Sequence, residues 1–310
     1  MANIAFLFPG QGSQAVGMGQ DYYDRFPESK AIFDQANEIL GFDLKGMIFN
    51  GSKEELQKTE NTQPALLTMS VAVLKVLGTK GITAKVCAGH SLGEFSAHVA
   101  AGTLSFEDGL KTVRKRGELM ASSDQSGQGM MAAIIGLEDS VVEAICKTAS
   151  ESGLVIPANY NCPGQVVISG ERRGVEEGIR LAKEAKARMA VPLEVSGAFH
   201  SPLIQEASIK FEGFLKDISI NKPNIPVVSN VTADVVEWDK VKTCWVKQML
   251  SSVLWKKSVD KMIDMGVDTF IEVGAGKVLQ GLVKKTNRQV NTFGTDSINS
   301  LEKTLEKLTG

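Results

Sequence analysis

Residues 85–102 read KVCAGHSLGEFSAHVAAG, and this stretch decides the fold that the sequence predicts. An apolar run at 85–88 is typical of a buried strand, and the segment at 94–101 is typical of a helix that ends at Gly102. Between them lies GHSLG, the G-x-S-x-G pattern of a nucleophile elbow, in which a sharp turn joins a strand to a helix. Such five-residue patterns also recur by chance, so a serine in an ordinary glycine-flanked turn is the alternative. The flanking elements favour the elbow, with Ser91 raised above a sheet.

Strands and helices alternate on both sides of this stretch. The predicted elements are strands at 4–8 and 85–88 and helices at 27–40, 63–77, 94–101 and 106–120. For the second of these helices, Thr62 and Pro64 are typical of a start and Gly78 of an end. The alternation predicts an α/β fold with a hydrolase-like large domain and a mainly parallel sheet.

The middle of the chain has a different order of elements. Strands are predicted at 131–136, 154–159, 165–169 and 189–195, and helices at 140–150 and 174–187. This βαββαβ order is typical of a ferredoxin-like unit. Serine- and glycine-rich residues at 122–129 and 196–197 flank it, and strands near 226–230 and 269–273 resume the α/β pattern. We therefore predict a large catalytic domain at 1–125 and 198–310, with an inserted ferredoxin-like small domain at 126–197.

Composition excludes several classes of protein. The chain has 310 residues and nearly balanced charge, with 34 Lys and Arg against 36 Asp and Glu, so it has no overall basic field for binding nucleic acid. Neither a secretory signal nor a run long enough to span a membrane is apparent. The four cysteines form no C-x-x-C and the three histidines no H-E-x-x-H, so neither a disulfide framework nor a metal site is expected. We predict a soluble, cytoplasmic protein without a metal.

A serine nucleophile needs a base, and the chain offers three histidines. His90 directly precedes the serine, so its side chain should point elsewhere and serve a structural role. His98 lies about two helical turns beyond the elbow. His200, in the segment GAFHSP, remains by elimination, although a histidine before Ser-Pro could instead cap a helix.

One arginine on the 106–120 helix has no acidic partner on its own helix. Arg114 can pair with Glu118, whereas no acidic residue lies three or four positions from Arg116. Arg116 flanks the apolar stripe of the helix. Two interpretations stay open: its head group extends to water, or it binds a carboxylate in a bidentate fork.

The opening loop fits a loose nucleotide-binding pattern. Gly10, Gly12 and Ala15 follow a strand with the spacing of a dinucleotide-binding turn. Against this, Pro9 interrupts the turn, and Gly17 prolongs the loop where the phosphate-binding helix should begin. A dinucleotide-binding regulator is therefore a poorly supported alternative, and the backbone N–H groups of the loop could equally face an oxyanion.

Seven short fragments are spread along the whole chain: FPGQG at 8–12, TQPA at 62–65, GHSLGE at 89–94, RKRG at 114–117, NYNCPGQ at 159–165, FHS at 199–201 and EVG at 272–274. In this order they resemble malonyl-CoA:acyl carrier protein transacylases, the discrete acyltransferases of fatty acid synthesis. That family has a hydrolase-like α/β domain with a ferredoxin-like insertion. This chain departs from it at Ala198 and Ala275, where proline is frequent, and at Cys162, where serine is frequent.

The resemblance implies roles for the catalytic residues. Ser91 would be the nucleophile and His200 its base. The backbone N–H groups of Gln11 and Leu92 would form the oxyanion hole. In this family a main-chain carbonyl near a late glutamine, matched here by Gln248, orients the histidine in place of an aspartate.

The resemblance also implies a pocket for a malonyl group. Arg116 would bind the malonyl carboxylate, and Phe199 would limit substituents at the α-carbon. Further possible pocket residues are Gln63, Asn161 and His90. The implied partners are malonyl-CoA and the phosphopantetheine of an acyl carrier protein, without a cofactor, and a monomer is expected.

Acyl carrier proteins are usually acidic, so a local basic patch is expected. The candidates, each of which could equally be ordinary surface charge, are Lys183, Lys186, Arg188, Lys256, Lys257, Lys284 and Lys285. The sequence leaves open whether the carrier serves fatty acid or polyketide synthesis.

The main rival function is that of a serine hydrolase, an esterase or thioesterase on the same elbow. In that class an acidic residue normally lies between the serine and the histidine in chain order. Asp108, Asp124 and Asp139 lie in this interval, but at a helix cap, in the linker and in the inserted domain.

Overall fold

The computed structural model describes residues 2–124, 127–195 and 197–309. Its strands are β1 (Ile4–Phe8), β2 (Val86–Gly89), β3 (Gly129–Ile135), β4 (Val155–Cys162), β5 (Gln165–Glu171), β6 (Met189–Pro192), β7 (Val227–Val228), β8 (Thr269–Glu272) and β9 (Asn291–Gly294). Its helices are α1 (Gln20–Arg25), α2 (Pro27–Leu40), α3 (Leu44–Asn50), α4 (Lys53–Gln57), α5 (Thr59–Thr79), α6 (Gly93–Ala100), α7 (Phe106–Ala121), α8 (Asp139–Ala149), α9 (Arg172–Glu184), α10 (Gln205–Leu215), α11 (Val241–Leu250), α12 (Trp255–Asp264), α13 (Val278–Thr286) and α14 (Ile298–Thr309).

A parallel sheet carries the elbow. Its strand order is β7-β2-β1-β8-β9, and each neighbouring pair is parallel. β1 is buried from Ala5 to Phe8, as expected for a strand covered on both faces. Phe8 pairs with Gly89, so β1 and β2 end side by side. Since loops after parallel strands meet at one edge of the sheet, Gln11 and Ser91 come together there. The predicted parallel sheet is confirmed.

A second, antiparallel sheet has the strand order β4-β5-β3-β6. Along the chain its elements run β3-α8-β4-β5-α9-β6, which is the predicted βαββαβ unit. Buried side chains of α8 and α9, including Val142 and Val175, share one apolar cluster with its strands. The fold class is therefore confirmed. The exact domain limits stay a prediction, since Gln125, Ser126 and Ser196 lie outside the described residues.

The long central helix differs from its prediction. α5 begins at Thr59 and ends at Thr79, so Thr62 is not its cap and Gly78 does not end it. Pro64 lies inside the helix instead of in its first turn. Several other ends shift by a few residues: β4 continues to Cys162, and β6 already ends at Pro192.

A contact with α7 explains how α5 tolerates its proline. Pro64 has no N–H to donate to the carbonyl of Glu60, four residues earlier. Arg114 Nη1 donates to that carbonyl at 2.9 Å, while Arg114 Nε donates to Glu118 at 2.8 Å as predicted. The donor missing from the backbone is thus supplied by another helix, which no local pattern could reveal.

Within the described residues, no helix combines the length and the apolar character that a membrane span requires. No cluster of three or more His, Cys, Asp or Glu side chains suited to a metal ion occurs in the same residues. The four cysteines are free and buried.

Candidate active site

Two glycines create the turn that presents Ser91. A Cβ on Gly89 would lie 1.9 Å from the backbone of Gly93, and a Cβ on Gly93 would lie 2.0 Å from the carbonyl oxygen of Phe8. Neither position can therefore hold a larger residue without moving the backbone. Ser91 itself has a φ of 51°, a strained value for a residue with a side chain. The strand-turn-helix context predicted for the elbow is present.

His200 contacts the serine, as the elimination among the histidines predicted. Ser91 Oγ lies 2.8 Å from His200 Nε2, and His200 Nδ1 lies 2.7 Å from the backbone oxygen of Gln248. With the proton on Nδ1 donated to that carbonyl, Nε2 is free to accept the serine proton. His200 has a φ of 57°, a second strained residue at the site.

The environment keeps His200 neutral. Burial, and then the positive charge of Arg116, lower its pKa to about 3. An imidazole that stays unprotonated at neutral pH is ready to act as a base. His98 is placed elsewhere, as predicted: it packs edge-on against Trp245, with ring centroids 5.0 Å apart.

Among the described residues, none of the three aspartates between the serine and the histidine in the chain is recorded as a partner of His200. Asp108 bonds Ser105 at the start of α7. Asp124 accepts from the backbone N–H of Gly129, and Asp139 pairs with Lys256 at 3.2 Å. The group that bonds His200 Nδ1 is instead the backbone oxygen of Gln248.

Arg116 lies beside Ser91 and not in solvent. Its side chain is only 1% exposed, which excludes the interpretation that it reaches water. Nη1 donates to Gln63 Oε1 at 2.9 Å, and Nη2 donates to Ser91 Oγ at 3.0 Å and to Gln248 Oε1 at 2.9 Å. Burial lowers its pKa to about 10, so it remains a cation at neutral pH. Within the described residues Nε has no hydrogen-bond acceptor.

The two predicted oxyanion donors border the same cavity as the serine. The N–H of Ser91 itself donates to Asn230 Oδ1 at 2.7 Å, so it is not available to a substrate. Leu92 directly precedes α6, where the helix dipole favours negative charge. Gln11 lies on the loop after β1 and donates from Nε2 to Thr59 Oγ1 at 3.3 Å.

The cavity at the elbow has a volume of about 100 Å³. It is lined by Gln11, Gln63, His90, Ser91, Leu92, Arg116, Met120, Met131, Asn159, Leu193, Val195, Phe199 and His200. Eight predicted site residues are in this set. Asn161 and Gln248 are not, but each bonds a member of it: Asn161 Oδ1 lies 2.8 Å from His90 Nε2. Two expectations were open for His90: its position before the serine predicted a side chain that points elsewhere, and the family resemblance made it a possible pocket residue. It lines the cavity.

Two residues of the site were given no role by sequence reasoning. Asn230 Nδ2 donates to the carbonyl of Gly89 at 2.7 Å, and its backbone N–H donates to Glu94 Oε2 at 3.0 Å. Asn230 follows β7 at the edge of the sheet that carries the elbow, and this placement could have drawn attention to it. Glu94 is inside the quoted GHSLGE fragment, but nothing in the pattern shows that it is buried.

The sequence matches the acyl transferase domain family over residues 5–305. This chain belongs to the acyl transferase family. It is 49% identical over 310 residues to the malonyl CoA-acyl carrier protein transacylase of Bacillus subtilis (strain 168), covering 99% of this chain and 98% of that protein. A protein of the same name from Staphylococcus aureus (strain MRSA252) is 45% identical over 305 residues, covering 97% of each chain.

Solved structures of acyl transferases share the whole fold. The malonyl CoA-acyl carrier protein transacylase of Clostridium perfringens superposes with a TM-score of 0.96 at 43% identity, covering 99% of this chain and 97% of that one. A malonyl-transacylase solved in complex with a type II PKS acyl-carrier protein superposes with a TM-score of 0.96 at 38% identity, covering 99% and 100%.

The lowered pKa of His200 predicts an unusual pH profile for this acyl transferase. With an ordinary histidine pKa near 6.5, the reactivity of Ser91 would fall about tenfold between pH 7.5 and pH 5.5. We expect acylation by an activated phenyl acetate ester, followed as phenol release, to stay nearly constant over this range. Ser91→Ala is the control for background hydrolysis, and a half-maximal rate near pH 6.5 would contradict the assignment.

Proposed function

We propose that this acyl transferase moves a malonyl group from CoA to the phosphopantetheine thiol of an acyl carrier protein, through an ester on Ser91. The observation that carries the proposal is the buried guanidinium of Arg116, 3.0 Å from Ser91 Oγ. A buried cation beside a nucleophile suits an acyl group that itself carries a carboxylate, because guanidinium binds carboxylate in a bidentate fork. The names of the relatives agree with this substrate.

In the first half-reaction His200 Nε2 takes the proton of Ser91 while Oγ attacks the thioester carbonyl of malonyl-CoA. The backbone N–H groups of Gln11 and Leu92 hold the oxyanion, an interaction typically worth about 3 kcal/mol per donor. The carbon–sulfur bond then breaks, and His200 returns its proton to the CoA thiolate. The malonyl ester stays on Ser91, with its carboxylate on Arg116.

In the second half-reaction the carrier thiol gives its proton to His200 and its sulfur attacks the ester carbonyl. The carbon–oxygen bond breaks, Ser91 regains the proton, and malonyl leaves on the carrier. One acyl-enzyme links the two halves, so the kinetics are ping-pong. Phe199, which is 4% exposed and lines the cavity, restricts groups at the α-carbon.

A serine hydrolase on the same elbow is the weaker candidate. The cavity at Ser91 is small, and its cation is already bonded to Gln63 and Gln248 rather than to an acidic residue. A hydrolase of neutral esters has no use for such a cation. The proposal includes a monomer, because the elbow, base and cation all come from one chain, and a cytoplasmic location, in keeping with four free thiols.

The carrier and the phosphates of CoA need a basic surface, and the candidates differ in their surroundings. Lys256 is paired with Asp139 at 3.2 Å. Arg188 and Lys285, with Arg288, border a cleft of about 340 Å³ next to the β4–β5 turn. We favour this cleft as the basic surface, because three cationic side chains line it together, whereas the charge of Lys256 is already paired with Asp139.

Incubation with malonyl-CoA alone separates transferase from hydrolase. We expect a burst of about one equivalent of free CoA per chain, then near arrest, because the ester waits for a thiol. Mass spectrometry should find one malonyl group on the peptide that contains Ser91, and none in Ser91→Ala. Steady release of CoA in water without a carrier would favour the hydrolase.

Substitution of Arg116 tests the recognition of malonate. Arg116→Ala should lower the rate of Ser91 loading by malonyl-CoA relative to acetyl-CoA by about 100-fold, because only malonyl loses a buried charge partner. The matched control is Lys115→Ala, a neighbouring cation whose side chain is 42% exposed, and it should leave the ratio unchanged. Equal losses for both donors would remove Arg116 from carboxylate recognition.

A further inference from the structure

Glu94 is a buried carboxylate that the proposed mechanism does not use. It lies in the first turn of α6 and is 0% exposed. Oε2 accepts from the backbone N–H of Asn230 at 3.0 Å and from Gln248 Nε2 at 2.7 Å. Burial raises its pKa to about 7, although these bonds and the charge of Arg116 oppose the increase. Burying a carboxylate costs free energy, so its presence here calls for a reason.

Gln248 stands between Glu94 and Arg116. Its Nε2 donates to Glu94 Oε2 and, at 3.1 Å, to the backbone oxygen of Ser91, while its Oε1 accepts from Arg116 Nη2. The reversed amide would set its oxygen against two oxygens and its NH₂ against the guanidinium. Glu94 therefore helps to decide which end of Gln248 faces Arg116.

Because the amide of Gln248 lies between them, Glu94 can balance the charge of Arg116 without occupying the N–H groups of the guanidinium. Among the ion pairs of the described residues, none joins Glu94 directly to Arg116. A direct ion pair would occupy N–H groups that a substrate carboxylate needs. With Gln248 between them, the negative charge acts on Arg116 from one residue away, and Nε keeps no acceptor among the described residues.

We propose that Glu94 is a positioning residue, which orients Arg116 through Gln248 and whose charge limits how tightly Arg116 holds the malonyl carboxylate. This inference rests on the proposed function. When malonyl is bound, two carboxylates share one cation and repel each other. Removing the charge of Glu94 should therefore strengthen binding of malonyl and leave acetyl unaffected.

The groups that face Glu94 allow the effect to be followed by pH. They are Arg116 from α7, Cys244 and Gln248 from α11, and Ser229 and Asn230 from the loop after β7. Arg116 has a pKa of about 10, and burial raises the pKa of the Cys244 thiol above its ordinary value. Between pH 6 and pH 8.5 the charge of Glu94 therefore changes, whereas the charges of Arg116 and Cys244 do not.

The test measures equilibrium binding in Ser91→Ala, which cannot be acylated. Malonyl-CoA and acetyl-CoA are titrated by calorimetry at pH 8.5 into Ser91→Ala and into Ser91→Ala/Glu94→Gln. Glutamine keeps an acceptor for Gln248 but removes the charge. We expect malonyl-CoA to bind the double variant roughly tenfold more tightly, with acetyl-CoA unchanged.

A pH series provides a second readout that needs no Glu94 variant. In Ser91→Ala the preference for malonyl-CoA over acetyl-CoA should fall as pH rises from 6 to 8.5, because Glu94 becomes charged. The ionisation of the CoA phosphates is common to both ligands and cancels in the ratio. A preference that does not change with pH would overturn the inference, even if Glu94→Gln failed to fold.

Two further variants make each outcome decisive. Glu272→Gln is the matched control: Glu272 is also 0% exposed with a pKa raised to about 7, but it bonds the backbone N–H groups of Leu279 and Gln280. It should not change the preference. If Arg116→Gln leaves the preference intact, Arg116 does not bind the malonyl carboxylate, and the observation that carries the proposed function fails. If the preference depends on Arg116 but not on Glu94, only this inference fails.

Discussion

The close approach of two backbones organises the whole site. Gly93 lies so near the end of β1 that a Cβ there would be 2.0 Å from the carbonyl oxygen of Phe8. Because of this contact, the loop that carries Gln11 lies beside Ser91, and α6 begins directly after the turn, at Gly93. Glu94, in the first turn of α6, is fully buried. A single steric constraint thus places the serine, one candidate oxyanion donor and the buried acid.

A buried positive charge is the second organising feature. Arg116 acts on three neighbours: its charge adds to burial, the larger cause, in lowering the pKa of His200, it bonds Ser91 Oγ, and it is linked through Gln248 to Glu94. Under our proposal the same cation helps burial to keep the base unprotonated and selects a carboxylate-bearing acyl group. Burying the charge of Arg116 costs free energy unless another charge compensates it. The contact with Glu94 through Gln248 supplies a compensating negative charge and leaves some N–H groups of the guanidinium unoccupied.

Local patterns predicted the elbow, the βαββαβ unit and the parallel sheet, because periodicity and glycine spacing are local properties. Elimination among three histidines indicated His200, which lies 2.8 Å from Ser91 Oγ, and its role as the base stays a prediction. The predicted start of α5 was wrong. Arg114, from another helix, donates to the carbonyl that Pro64 leaves without a partner, and this contact permits a proline inside α5. Sequence alone also gave no reason to choose the carbonyl of Gln248, since a backbone oxygen has no residue signature, and only the family resemblance indicated it.

The burial of Glu94 likewise could not be predicted, because it depends on residues more than a hundred positions away: Asn230 and Gln248. Under our proposal, Arg116 receives the carboxylate of an acyl group held on Ser91. A crystal structure of the protein loaded with malonyl is the sharpest test. We expect an ester on Ser91 Oγ and a carboxylate oxygen about 2.8 Å from the Arg116 guanidinium. A carboxylate that points to solvent, with Arg116 still bonded only to protein, would contradict it.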